Sequence, residues 1–212
     1  MFEISKNISI NLEIFQGSKI YTVDNFYQNP DVILKYFLDN VPNLWKNHQT
    51  PSYNNVYFED RRHKLESDEI VKVYDFLSFL CNQSSLDPDA TALFSNASKF
   101  KKCQFNDYKN NYWWPHTDVG YTGIVYFNGG DEISGTNLYE NLDPENEPPN
   151  CPEHSAPWRS KDAYRLVKTL IPRYNRLVLF DGLKFFHGMN ICNDDYFGEN
   201  YRFNQVFFFK QN

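Results

Sequence analysis

The chain has 212 residues, a formal net charge of −6, 41% hydrophobic residues and 18% aromatic residues, with 19 Phe and 15 Tyr. That length suits one well-packed domain, and the apolar content excludes disorder over most of the chain. Lys and Arg are scattered through a net acidic sequence, which removes the electrostatic footprint of a nucleic-acid binder.

The first fifteen residues, "MFEISKNISINLEIF", lack a basic stretch followed by an apolar one, and no run of 18 apolar residues occurs, so neither a secretory signal nor a membrane span is expected and the predicted location is cytoplasmic. Within that stretch Ile8, Ile10, Leu12 and Ile14 alternate with polar residues, the period of a half-buried strand. "KIYTVDNF" is a second strand candidate. In "QNPDVILKYFLDNV", Asn29 can cap a helix, Pro30 suits its first position and Asp31 favours its positive end. Val32, Ile33, Tyr36 and Phe37 then share one face. A second helix is predicted from about Ser67 to Cys81, with Ile70, Val73, Tyr74, Leu77 and Leu80 in register.

From residue 93 the text changes to short aromatic and β-branched runs: "SKFKKCQFNDY", "YTGIVYFN", "GTNLYE", "YRLVKTLIP", "NRLVLFDG" and "YRFNQVFFFK". The expected organisation is a single domain over 1–212, with strands and supporting helices in 1–92 and a β core in 93–212. Residues 141–163, "NLDPENEPPNCPEHSAPWRSKDA", carry five prolines and several acids, and read as a lid or a disordered excursion. The four cysteines, Cys81, Cys103, Cys151 and Cys192, form no CxxC pair in a chain of this size, which points to reduced thiols.

The segment "NYWWPHTDVGYTGIVYFN" places His116 and Asp118 two apart, so that in a strand both project to one side. With a distant His they would form the two-His, one-carboxylate triad that leaves open positions on non-haem Fe(II). His-x-Asp alone is too short to decide this, and a surface pair after Pro115 is the plain alternative. Of the other histidines, His48, His63 and His154 sit in polar surroundings, whereas His187 follows "NRLVLFDGLKFF" directly. Arg202 stands in the aromatic strand text "YRFNQVFFFK", where a charge needs a partner. An ion pair with Asp181 or Glu199 would be one answer.

Taken together, "PHTD", "GIVYFN", "SGTNLYE", "NRLVLFDGLKFFHG" and "YRFNQVFFF" resemble the core of the Fe(II)- and 2-oxoglutarate-dependent oxygenases, nearest to their prolyl-hydroxylase-like branch and its small phage and bacterial relatives. The resemblance implies an α+β, mainly β fold: a double-stranded β-helix, jelly-roll or cupin-like, with flanking N-terminal helices. It implies His116, Asp118 and His187 as iron ligands and Arg202 as the partner of the distal carboxylate of 2-oxoglutarate. Tyr126 matches a tyrosine that donates to the same carboxylate. Asn204 stands where the family often has Ser or Thr. Trp113, Trp114, Thr136 and Tyr139 are candidate substrate-wall residues, although Ser134 replaces the first of a glycine pair common before that Thr.

The implied activity uses Fe(II), 2-oxoglutarate and O2 to hydroxylate an aliphatic C–H bond of a protein, peptide or amino acid, with no catalytic residue beyond the ligands. Two alternatives use the same residues differently: a non-catalytic binding protein of this fold, and a cupin-like metal protein that needs no 2-oxoglutarate and no Arg202. A nucleic-acid demethylase is disfavoured by the charge. The Asn, Lys, Ile, Phe and Tyr bias fits an AT-rich genome, such as that of a phage or a slow-growing marine bacterium.

Overall fold

The structure is a computed structural model that describes residues 1–44, 46–47, 58–64, 71–81, 92–100, 107–127, 135–145, 158–191 and 202–210. In chain order the elements are β1 (Ser9–Phe15), β2 (Ser18–Asp24), α1 (Pro30–Leu44), β3 (Lys46–Asn47), β4 (Phe58–Lys64), α2 (Val71–Cys81), β5 (Ala92–Phe100), α3 (Asp107–Asn110), β6 (Asn111–Trp113), β7 (Gly120–Tyr126), β8 (Thr136–Asn141), β9 (Trp158–Ser160), β10 (Tyr164–Leu170), β11 (Arg176–Asp181), β12 (Phe186–Met189) and β13 (Arg202–Lys210). All strand pairs are antiparallel.

Eight strands form a large sheet in the order β1-β2-β11-β7-β13-β5-β4-β3, and three form a small one, β10-β8-β12. From β5 onward the chain winds between them. β5 is in the large sheet, His116 is bridged to β12 of the small one, β7 returns to the large sheet, β8 and β10 lie in the small, then β11, β12 and β13 alternate.

Strand alternation divides the large sheet into two apolar faces. Ile20, Ile124, Tyr126, Val178, Phe180 and Val206 point toward the small sheet and pack with Leu138 and Leu170 from it. Tyr21, Val23, Val125, Leu177, Leu179, Phe203 and Phe207 point the other way, where Ile33 and Phe37 of α1 and Val73, Leu77 and Leu80 of α2 cover them. Helix α1 starts at Pro30 as its spacing predicts, with Asn29 O accepting from Ile33 N, while Val32 is 57% exposed rather than on the buried face. The described part of the second helix begins at Val71; residues 65–70 lie outside the described residues.

Strand β1 departs from expectation. Its alternation is real, since Ile10, Leu12 and Ile14 pair with Val23, Tyr21 and Lys19, but these three side chains are 45%, 48% and 63% exposed. β1 is one of the two edge strands of the large sheet, and none of its residues belongs to the core beneath the helices.

Residues 141–145 and 158–164 are the described flanks of the proline-rich segment. Asn141 and Tyr164 are opposite each other across β8 and β10, and Leu142 N donates to Ala163 O at 2.9 Å. The returning end, β9, pairs with β6 so that Trp158 faces Trp113. Residues 146–157, including Cys151 and His154, lie outside the described residues, as do His48, Cys103 and Cys192. Cys81 is a free, buried thiol, and burial pushes its pKa up to about 12. Among the described residues no helix is long and apolar enough to cross a membrane.

Candidate metal centre

His116, Asp118 and His187 converge at the rim between the two sheets, with one ligand atom from each lying within 4.8 Å of the others. The backbone brings them there. His116 N donates to His187 O at 3.1 Å and His187 N to His116 O at 2.8 Å, an isolated antiparallel bridge that extends the small sheet. Asp118 N donates to Gly182 O at 2.8 Å, and Leu183 N to Gly120 O at 3.1 Å, which ties the same stretch to the end of β11 in the large sheet.

Each imidazole is fixed by its far nitrogen. Nδ1 of His116 lies 2.7 Å from Trp114 O and Nδ1 of His187 lies 3.0 Å from Phe185 O. A carbonyl can only accept, so in both bonds Nδ1 carries the hydrogen, which leaves Nε2 of each ring turned to the centre as the nitrogen a metal ion would take. His187 Nε2 is 3.0 Å from Asp118 Oδ2, and His116 Nε2 is 3.8 Å from Asp118 Oδ1. Two imidazole nitrogens and a carboxylate turned to one point fit a divalent first-row metal ion held between them, with positions left open on it.

Burial alone would raise the pKa of the Asp118 carboxyl. The bond to His187, the charges of His187 and His116 and the hydrogen bond from Thr122 outweigh it, and the group stays below its ordinary value. The carboxylate is therefore the ionised ligand that a cation needs.

Two local features shape the site. Trp114 adopts φ 50°, the left-handed region that a bulky residue enters at a cost of about 1–3 kcal/mol, and this turn directs its carbonyl to His116. Gly188 lies under the same turn. A Cβ there would overlap Trp113 O and stand 3.0 Å from Trp114 O, so the close backbone approach requires glycine.

Arg202, Asn204 and Tyr126 occupy the inner face of the large sheet, Asn204 being the register partner of Tyr126. All three are buried. The Arg202 guanidinium carbon is 5.8 Å from the Tyr126 ring centre, and Asn204 Oδ1 has no hydrogen-bond partner. Tyr126 OH shares a 2.8 Å hydrogen bond with Thr136 Oγ1, which places Thr136 beside these groups. Burial raises the Tyr126 phenol above its ordinary pKa, against the opposing effects of Arg202 and of that bond, so the hydroxyl keeps its proton.

Tyr139 is elsewhere. It pairs with Phe186 whereas Leu138 pairs with His187, so its side chain leaves the small sheet on the face opposite the ligand. There its ring packs at a tilt on Tyr112, with centres 4.5 Å apart, and its hydroxyl accepts from Asn137 Nδ2 at 3.1 Å. Trp113 and Trp114 form a buried cluster with Ile191, to which Trp158 adds an edge contact at 5.0 Å; the Trp114 ring lies 6.2 Å from that of His116.

Two residues outside the sequence pattern join these groups: Thr122, whose hydroxyl donates to Asp118 Oδ2, and Trp158, which meets Trp113. Thr122 lies only four residues from Asp118 in the chain, but the bend at Val119 before β7 means that strand alternation alone does not bring the two together. Trp158 carried no signal either, since its partner strand is remote in sequence.

Comparison with known proteins gives distant likenesses in structure alone. No family profile and no curated protein sequence matches the chain. Among solved structures, a prolyl-4-hydroxylase from Pseudomonas putida is similar over 97% of this chain and 92% of its own, with 9% identity and a TM-score of 0.49. An oxidoreductase of the 2OG-Fe(II) oxygenase family from Burkholderia pseudomallei is similar over 87% of this chain and 79% of its own, with 9% identity and a TM-score of 0.47.

Proposed function

We propose that the protein is a non-haem Fe(II)- and 2-oxoglutarate-dependent dioxygenase built on a double-stranded β-helix, hydroxylating an aliphatic C–H bond of a protein, peptide or amino acid. The observation that carries this reading is the convergence of His116, Asp118 and His187, with their Nε2 and carboxylate atoms turned to one point, in a protein that also buries an arginine, against Tyr126, on the inner face of the large sheet. The alternation of β5, the His116 segment, β7, β8, β10, β11, β12 and β13 between two sheets agrees with the fold.

His116, Asp118 and His187 would hold the iron, and the bound iron, 2-oxoglutarate and O2 together supply the oxidising power. The chain's own groups bind and orient. The Arg202 fork matches the distal carboxylate of 2-oxoglutarate bidentately in a site shielded from water. Tyr126 keeps its proton and lies beside that fork, and Asn204, with an unpartnered Oδ1, can turn its amide hydrogens to the same carboxylate. Thr136 holds the Tyr126 hydroxyl. The histidines act as ligands, with their Nδ1 hydrogens committed to carbonyls, and take no proton from substrate.

The test is an anaerobic Fe(II) titration with and without 2-oxoglutarate, following the visible charge-transfer absorption that chelation produces, on wild type and Arg202→Ala. The expected result is a band in wild type that weakens in the variant. Iron binding without a band would instead favour a cupin-like metal protein that does not use 2-oxoglutarate, and no iron binding would overturn the metal centre.

A further inference from the structure

We propose that Thr122 is a positioning residue of the metal centre: its hydroxyl fixes the rotation of the Asp118 carboxylate so that the group faces His116 and His187. The inference rests on the reading of those three residues as a metal site and adds a residue that the site's own pattern does not name.

The geometry is specific. Asp118 stands two residues before β7 and Thr122 is the third residue of that strand, and Thr122 Oγ1 donates to Asp118 Oδ2, the oxygen that also faces His187 Nε2 at 3.0 Å. Thr122 is 1% exposed, so water does not compete for its hydroxyl, and its β-branched side chain is stiff about χ1. A carboxylate left to itself rotates broadly about its last torsion, and ordering it costs part of the binding energy of any ion it takes. A fixed donor on one oxygen removes that freedom beforehand.

The turn after β11 is shaped around this bond. Gly182 O accepts from Asp118 N, and a Cβ on Gly182 would overlap Thr122 Oγ1, stand 2.9 Å from Gly120 O and 3.0 Å from Asp118 Cβ. Any side chain at position 182 would push the hydroxyl off the carboxylate. The turn after β11 thus closes over a three-part unit of Gly182, Thr122 and Asp118, whose polar centre is one hydrogen bond on a candidate ligand.

The test is calorimetric titration of the purified protein with Mn(II), which needs no protection from air, on wild type, Thr122→Val, Thr122→Ser and Thr122→Ala, each checked for folding by circular dichroism. Val preserves shape and removes the donor, and is expected to weaken Mn(II) binding by roughly 10–100-fold. Ser restores the donor and is expected to bind within a few-fold of wild type. Should Val fail to fold, Ser and Ala, which differ by the hydroxyl oxygen alone, make the same comparison. Equal affinity in the variants with and without the hydroxyl overturns this inference and leaves the metal centre standing. Absence of Mn(II) binding in wild type overturns both.

Discussion

His116 and His187 are partners twice over: their backbones exchange hydrogen bonds at 3.1 and 2.8 Å, and each ring ties its Nδ1 to the carbonyl two residues before it, Trp114 and Phe185. Two residues remote in sequence are thus oriented by one local device used twice. Because the rings are held at both the main chain and the far nitrogen, their Nε2 atoms are set before any ion arrives.

On the proposed reading, removing one of the three residues should therefore abolish metal binding while sparing the fold. His187→Ala and Asp118→Ala are expected to lose Mn(II) binding in calorimetric titration and to keep a wild-type far-ultraviolet circular dichroism spectrum. Retained binding in both variants would remove the centre.

The close approach at Gly188 should be intolerant of a methyl group. In Gly188→Ala the new Cβ meets Trp113 O and crowds Trp114 O, the atom that holds His116. Overpacking against backbone is expected to cost about 1–3 kcal/mol and to weaken Mn(II) binding as the Trp114 carbonyl shifts. Thermal denaturation and titration of the same sample measure the two effects, and an unchanged affinity would show that the Trp114 carbonyl does not orient His116.

Beneath the helices a polar pair is buried in the apolar layer. Tyr27 OH donates to Gln205 Oε1 at 2.7 Å, while Gln205 Nε2 has no partner. Tyr27→Phe leaves the Gln205 oxygen unpaired as well and should destabilise by about 1–3 kcal/mol in denaturant unfolding. Adding Gln205→Met should recover much of that loss, since the pair is then apolar on both sides. A double variant less stable than the sum of the two single ones would contradict this account.

The Asp24 and Arg176 pair sets an acid limit. Arg176 Nε and Nη2 bond the two Asp24 oxygens at 2.6 and 2.9 Å, and that bidentate hydrogen bond outweighs partial burial to hold the Asp24 carboxyl below its ordinary value. With a folded pKa below the unfolded one, the pair's contribution is complete above the unfolded pKa and is lost as pH falls through the folded one. Asp24→Asn should therefore melt lower than wild type at neutral pH, by a few degrees for about 1 kcal/mol, with the gap narrowing toward pH 2. A gap independent of pH would assign the loss to something other than the carboxylate charge.

Much of the architecture is legible in the chain because it is local. Pro30 after Asn29 marks the start of α1, and β7, β8, β10, β11 and β13 lie within a residue or two of the apolar runs that predict them. Burial was less legible. The alternation of Ile10, Leu12 and Ile14 states which side of a strand is apolar, but not whether anything covers that side, and these three side chains are exposed and take no part in the core under α1 and α2. Tyr139 shows the same limit, since the face it takes depends on which residue of β12 pairs with it.

By itself the sequence determined chemistry and direction: His116 and Asp118 two apart on one side of an extended segment, an arginine amid phenylalanines, and strands with a period of two. Tertiary structure decided what meets what. The bridge of His116 to His187, the closure of Gly182 over Thr122 and Asp118, and the docking of Trp158 on Trp113 each join segments remote in the chain. The physical reason is that a residue's own backbone sets only where its side chain points along its strand. The partner across the gap is chosen by the register of a two-sheet winding, and that register is a property of the whole packed core.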